Sequence, residues 1–209
     1  MSRLENNSVH IEGLIQDINI FLIRPHSICR FTTSDDDLSD ISNSIKQKGL
    51  LNPIIVRTQG EYFEIVAGNR RYHACKSLGW RKITCHVVEL NDRESFELSL
   101  TENIQRKTLQ PIEEAHAFKK YISDLGWGGL TDLAKQIGKS VSYVTKRIKL
   151  LDLPPEVFNF IVKSNISVSI AEELYSVKDS LKQRELAEII STRHLSFRKA
   201  RKLVRYLSI

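Results

Sequence analysis

Val66-Ala67-Gly68-Asn69-Arg70-Arg71-Tyr72-His73-Ala74 decides how this 209-residue chain reads. An apolar, strand-like run (Tyr62 to Ala67) enters it and a helix-like run (Tyr72 to Leu78) leaves it. A strand, a glycine turn and a helix start form an anion seat, because free backbone N–H groups and the helix dipole converge on one spot. Arg70 and Arg71 add forked donors that match phosphate oxygens. The same two arginines also fit a solvated helix start, so the stretch alone leaves both readings open.

Outward from it, the N-terminal half reads as α/β. Ser34-Asp35-Asp36-Asp37 caps a helix carrying Leu38, Ile41 and Ile45 at helical spacing, and Gly49 stands at its stop. Ile54 to Val56 and Tyr62 to Val66 are β-branched or aromatic strand runs, with Thr58-Gln59-Gly60 as the turn of a hairpin. A helix from Asn69 to about Leu78 stops at Gly79, and Ile83 to Val88 is a third strand. Asn91 caps a further helix that turns Phe96 and Leu100 inward and ends near Glu102.

The C-terminal half reads as helical throughout. Pro111 opens a helix with Ile112, Ala115, Phe118, Ile122 and Leu125 at period 3.6, broken by Gly126, Gly128 and Gly129. Thr131 is read as the cap of a short helix to Ile137, Gly138 as a turn, and Ser140 as the cap of a second helix to about Leu151. Pro154-Pro155 ends it; helices over roughly 155–163, 167–176 and 180–193 follow, then a last one capped by Ser196. Small Ala134, the Gly138 turn, and Val144 and Ile148 packing the second helix fit a helix-turn-helix over 131–151. The halves divide at 1–107 and 108–209.

Composition narrows the function classes. No apolar run approaches the roughly 18 residues of a membrane span, and the polar Met1 to His10 has no signal-peptide character. Cys29, Cys75 and Cys85 are scattered, which suggests neither a zinc site nor a disulfide framework, and fits a reducing compartment. The net charge of +6 falls wholly in the C-terminal half: Met1 to Leu109 holds 14 Lys+Arg and 14 Asp+Glu, Gln110 to Ile209 holds 17 and 11. That half has the charge of a polyanion-binding module, and equally of solvated helices.

Three more segments stand in order beside the opening one: Gly49-Leu50-Leu51-Asn52-Pro53-Ile54-Ile55-Val56-Arg57, Thr101-Glu102-Asn103-Ile104-Gln105-Arg106, and Thr131 to Ser140. From about Ile23 to about Leu207 the chain resembles the ParB family of DNA-partition proteins. The resemblance implies a ParB/sulfiredoxin-like α/β domain followed by an all-α helix-turn-helix domain, an α+β protein overall. It implies CTP as nucleotide, with Arg70 and Arg71 on phosphates at the Gly68-Asn69 turn, and Arg106 reaching the same phosphates. The resemblance further implies that Glu102 and Asn103 serve Mg²⁺, with Glu102 in hydrolysis, and that the base lies near Gly49 and Asn52; the residues by themselves equally fit a helix-end cap with a surface ion pair. For DNA it implies phosphate contacts from Lys139, Lys146, Arg147 and Lys149, base-edge contacts from Ser142, Tyr143 and Lys146, and Thr131 and Ser140 at the helix starts. The implied partners are duplex DNA with a centromere-like site, a second copy of the chain and a ParA-type ATPase; the implied location is the cytoplasm, on the nucleoid.

The chain departs from the pattern in four places. The family's Gly-Glu-Arg-Arg is Gly68-Asn69-Arg70-Arg71, its later arginine is His73, an arginine that reads the common bacterial site is Val141, and Gly-His-Ala-Arg is Ser169-Ile170-Ala171-Glu172. The resemblance implies a protein of chromosome or plasmid partition that binds a specific DNA site and CTP as a nucleotide-gated clamp; given these departures, two other readings stand beside it: a regulator of the same family without nucleotide turnover, and a nucleotide-dependent small-molecule kinase. A sulfiredoxin-type reductase would need a cysteine at Asn69, and Cys75 lies nearly two helical turns away.

Overall fold

Two runs of β-branched residues, β3 (Ile54–Gln59) and β4 (Tyr62–Ala67), form the hairpin at the heart of the first unit. The turn is the two residues Gly60-Glu61, where Gly60 supplies φ of 59°. In the computed structural model, which describes residues 12–25, 35–106, 109–163 and 165–207, these strands belong to a five-stranded sheet of order β1-β5-β3-β4-β2. β5 (Lys82–Val88) runs parallel to β3, while β1 (Gly13–Asn19) runs antiparallel to β5. β2 (Ile23–Pro25) runs parallel to β4 after a 3-10 turn over Ile20–Leu22.

Beyond the three strands that the sequence predicts, two edge strands complete the sheet. β1 presents Leu14 and Ile15 to solvent and buries Ile18, so its pattern lacks a clean alternation. β2 is three residues long and ends in proline, which an edge tolerates.

Helices α1 (Asp35–Lys48) and α2 (Asn69–Ser77) pack together, with Ile45, Tyr72, Ala74 and Cys75 in one core with Ile54, Val56, Ile65 and Ile83. Gly49 at φ 73° and Gly79 at φ 75° follow the two helices as read from the sequence. The Ser34 cap and Cys29 lie outside the described residues. Helix α3 (Asp92–Gln105) opens with a reciprocal cap: Asn91 Oδ1 accepts from Glu94 N–H and Glu94 Oε2 from Asn91 N–H. Its start is latched to the sheet by Arg57, which pairs with Glu64 at 2.6 Å and Asp92 at 2.7 Å and donates to the Leu90 carbonyl.

The chain divides into two compact units, Met1–Glu102 and Asn103–Ile209, a few residues before the break read from the sequence. The second unit is helical: α4 (Pro111–Lys119), α5 (Leu130–Gln136), α6 (Val141–Lys149), α7 (Pro155–Val162), α8 (Val168–Leu174), α9 (Ser180–Thr192) and α10 (Phe197–Leu207). Where the sequence suggested one helix to Leu125, α4 passes into a π-helical turn over Lys120–Asp124, and Leu125 N–H bonds the Lys120 carbonyl. Gly126 at φ 60° then breaks the chain away. A second correction concerns Thr131, which lies inside the first turn of α5; the cap position is Gly129, whose N–H donates to Asp132 Oδ2 at 2.9 Å.

Candidate functional site

At the mouth of α2, Gly68 adopts φ 100° and ψ 25°, a left-handed conformation open to glycine. A Cβ there would come within 2.9 Å of both Arg71 Nη2 and Ile54 Cγ2, so the residue is fixed by space as well as by backbone. Gly68 has no side chain with which to cap α2, so the turn presents backbone where a capping residue would place a side-chain oxygen. Arg71 folds under this turn and donates Nη1 to the carbonyls of Asn52 and Pro53, each at 2.7 Å. Two of the motif segments read from the sequence are thus joined: the Gly49 to Arg57 box is held by the second arginine of the Gly68 box.

Asn69 Oδ1 is buried with no hydrogen-bond partner among the described residues. A buried acceptor without a partner is costly, so this one calls for a donor. Arg70 is half-buried beside it, and Asn52 and Gly49 lie on the exposed or half-exposed loop below.

His73 sits one turn into α2, half-buried, with its ring 5.2 Å from that of Tyr72 in an edge arrangement. Burial, then the Lys76 ammonium, lowers its pKa and keeps it neutral. Burial raises the Cys75 thiol, and raises Cys85 to about 12, so both are inert thiols without the low pKa a nucleophile needs.

Glu102 and Asn103 lie half-buried on the last turns of α3, and Arg106 is exposed just past its end. Glu102 closes the first unit and Asn103 opens the second. Among the described residues no three His, Cys, Asp or Glu side chains gather into a metal site. The donor set of one carboxylate and one amide suits Mg²⁺ only where phosphate and water complete the shell.

In the second unit, Leu133, Ala134, Ile137 and Val144 bury the contact between α5 and α6, and Gly138 at φ 65° turns the chain between them. Ser140 caps α6 as read from the sequence, accepting from Tyr143 N–H at 3.1 Å. Ser142, Lys146 and Lys149 form an exposed stripe at i, i+4 and i+7, flanked by exposed Val141, Lys139 and, on α5, Thr131. Lys149 Nζ stands 4.7 Å from the Tyr175 ring centre.

The expectation that Tyr143 and Arg147 also stand open is corrected. Both turn inward onto Glu114 of α4: the Tyr143 hydroxyl donates to Oε2 at 2.6 Å, and Arg147 Nε donates to the same oxygen at 2.7 Å. Arg147 lies 4.8 Å from the Tyr143 ring centre and its side chain is only 15% exposed. Burial and then the Glu114 hydrogen bond raise the Tyr143 pKa. Burial alone would lower that of Arg147, but hydrogen bonds to Tyr143 and Glu114 reverse the sign and raise it.

A buried carboxylate joined to a buried guanidinium explains the placement, since either alone would be an uncompensated charge. Glu114 was missed from sequence because an acid in the first turn of a helix reads as dipole compensation on a solvated face. Glu172 of α8 completes the network, 3.3 Å from Lys146 Nζ and 3.6 Å from Arg147 Nη1.

An α/β unit with a glycine-opened anion turn, followed by a helix-turn-helix unit, is the class these features define. The model of the ParB N-terminal domain matches residues 4–104 and that of the ParB HTH domain residues 107–208. The chain belongs to the ParB family of DNA-partition proteins. It is 37% identical over 172 residues to the chromosome-partitioning protein Spo0J of Thermus thermophilus, covering 81% of this chain and 62% of that one. It is 36% identical over 181 residues to the nucleoid occlusion protein of Bacillus cereus strain AH187, covering 84% and 61%. The chain thus spans about three fifths of the length of these relatives.

Among solved structures, the C-terminally truncated ParB from Caulobacter crescentus, complexed to the centromeric parS site, matches with 31% identity and a TM-score of 0.69 over 91% of this chain and 99% of that one. The same truncated protein complexed with CTP-gamma-S matches with 32% identity over 85% and 99%, at a TM-score of 0.42.

Proposed function

We propose that this chain binds a specific duplex DNA site through α6, as part of chromosome or plasmid partition or of nucleoid occlusion. The observation that carries the reading is the Ser142, Lys146, Lys149 stripe on a capped helix whose opposite side is buried, in the unit that holds all the net charge. Lysines on that stripe meet phosphates, and Ser142 meets base edges. Val141, 41% exposed, stands where an arginine would fork onto guanine, so either the preferred sequence differs from one read by such an arginine or the specificity is weaker. Lys146→Gln or Lys149→Gln should weaken binding to all duplexes alike and lower the salt slope by about one unit. Ser142→Ala should instead blur the preference between a selected site and its scrambled control. Wild-type behaviour of all three in fluorescence anisotropy would remove α6 from the groove.

The first unit, in this reading, takes CTP at the mouth of α2. Gly68 amide geometry, Arg70 and Arg71 hold phosphates, Asn69 accepts from a donor on the nucleotide, and Gly49 and Asn52 border the base. Glu102 and Asn103 would hold Mg²⁺ together with phosphate oxygens, a metal that offsets charge on the phosphates, and Arg106 would reach the same phosphates. Glu102 also positions the attacking water. Glu102→Gln should therefore keep CTP binding and lose phosphate release; equal release by both proteins discards the role. A wild type that binds CTP without releasing phosphate supports the regulator reading.

The cellular setting that follows is the cytoplasm, on the nucleoid, with a second copy of the chain and a ParA-type ATPase as partners. No helix among the described residues is long and apolar enough to cross a membrane.

A further inference from the structure

Helix α10 is divided along its length into two kinds of surface. Arg198, Lys199, Arg201, Lys202 and Arg205 lie on one side, and the eleven residues include no acid. On the other side Ala200 and Val204 are fully buried in the core of the second unit, packed toward α8, with Leu203 half-buried beside them. Of the five cations only Arg201 has an ion-pair partner among the described residues, Glu173 of α8 at 3.3 Å. Arg201 also lies 6.0 Å from the Phe197 ring centre. Arg198, Lys202 and Arg205 recur at i, i+4 and i+7, so they share one exposed line.

We infer that the outward face of α10 is a second DNA-binding surface, which grips the phosphate backbone of duplex DNA without reading its sequence. The inference extends the DNA reading of the second unit but does not need α6 to enter a groove. Four observations favour this occupant. The line from Arg198 to Arg205 is roughly 10 Å long at about 1.5 Å per residue. Over that length one DNA strand presents about three phosphates, at one per roughly 3.4 Å of axis.

The exposed side carries cations and no short amide or carboxylate side chain aimed outward, a chemistry that meets phosphate and does not distinguish bases. A membrane is disfavoured because an interfacial helix must lay a continuous apolar side into the bilayer, and here Ala200 and Val204 are committed to the protein core, which leaves only Phe197, Tyr206 and Leu207 exposed, at the two ends of the helix. Consecutive acids on α8 tie the two basic helices to one support: Glu172 holds Lys146 of α6 and Glu173 holds Arg201 of α10. Both cationic helices thus flank the same short helix.

The test is the salt dependence of binding by the whole 209-residue chain to a labelled 30-base-pair duplex, over about 50–200 mM salt. The triple variant Arg198→Gln, Lys202→Gln, Arg205→Gln should lower the log–log slope by about two to three units, at about 0.9 per phosphate contact. Its preference for a selected site over a scrambled duplex should not change. An unchanged slope overturns the inference, and so does a lost site preference at an unchanged slope. Far-UV circular dichroism and thermal melting accompany the measurement. If the triple variant does not fold, Arg205→Gln alone should still lower the slope by about one unit.

In a Lys146→Gln, Lys149→Gln background, the α10 substitutions should remove the same increment. That result holds even where α6 proves not to touch DNA, which separates the two readings. Sedimentation with phosphatidylserine–phosphatidylcholine vesicles is the remaining arm: vesicle binding that depends on these three residues, with DNA slopes unaffected, overturns the inference in favour of a lipid surface.

Discussion

Arg71 performs two tasks with one guanidinium. Its Nη1 holds the Asn52 and Pro53 carbonyls, while Nη2 lies within 2.9 Å of the space a Cβ on Gly68 would fill. In the proposed nucleotide site, Arg71→Ala removes a charged donor and releases the loop that borders the base. Calorimetric titration should show CTP binding weaker by about 1.5–3 kcal/mol, the scale of a charged hydrogen bond left unmade. Arg71→Lys should recover little, because one ammonium cannot serve two carbonyls and a phosphate in fork geometry. Unchanged titration of the alanine variant would take Arg71 out of the phosphate role while leaving its hold on the loop. The Gly68 turn was legible from residue types alone, since glycine between a strand and a helix with adjacent arginines has few structural uses. The bonds from Arg71 to Asn52 and Pro53 were not, because nothing in the sequence fixes which carbonyls face a guanidinium 18 and 19 residues away.

At the scale of elements, α6 was readable on its exposed side and misread on its inner one. Ser142, Lys146 and Lys149 follow the helical period outward, and Ser140 and Gly138 mark the helix start and turn by their chemistry. Tyr143 and Arg147 share a second period, which polarity alone assigns to solvent; burial against Glu114 decides otherwise. Glu114→Ala should leave Arg147 as an uncompensated, mostly buried cation and destabilise the second unit by about 3–5 kcal/mol. Urea unfolding of the chain reads this directly. A cost below about 1 kcal/mol would show the triad to be no stronger than a surface pair. The strands follow the same rule: β3, β4 and β5 bury β-branched runs and were legible, whereas edge strands β1 and β2 bury too little of their length to leave a pattern.

For the molecule as a whole, the order of segments carried more than any one of them: four motif segments in sequence pointed to the family, and both domain models match accordingly. Charge divided the chain into a neutral and a basic half, close to the division into two units at Glu102 and Asn103. The clamp that the ParB resemblance implies, two copies closed around DNA, would require contact between chains that depends on nucleotide and DNA. Single cysteines introduced at Gln105 or Gln110 should crosslink between copies only when CTP and DNA are both present. Equal crosslinking under every condition would reject nucleotide gating while leaving DNA binding intact. The shared carboxylate of Glu114 has a consequence for how such a protein can diverge. Since Tyr143 and Arg147 lean on one oxygen, a change at any of the three strands the others. Lineages that lose the acid should lose the arginine with it, so drift on this side of α6 proceeds by sets of residues, while Val141 and Ser142 can vary singly and explore new DNA sites.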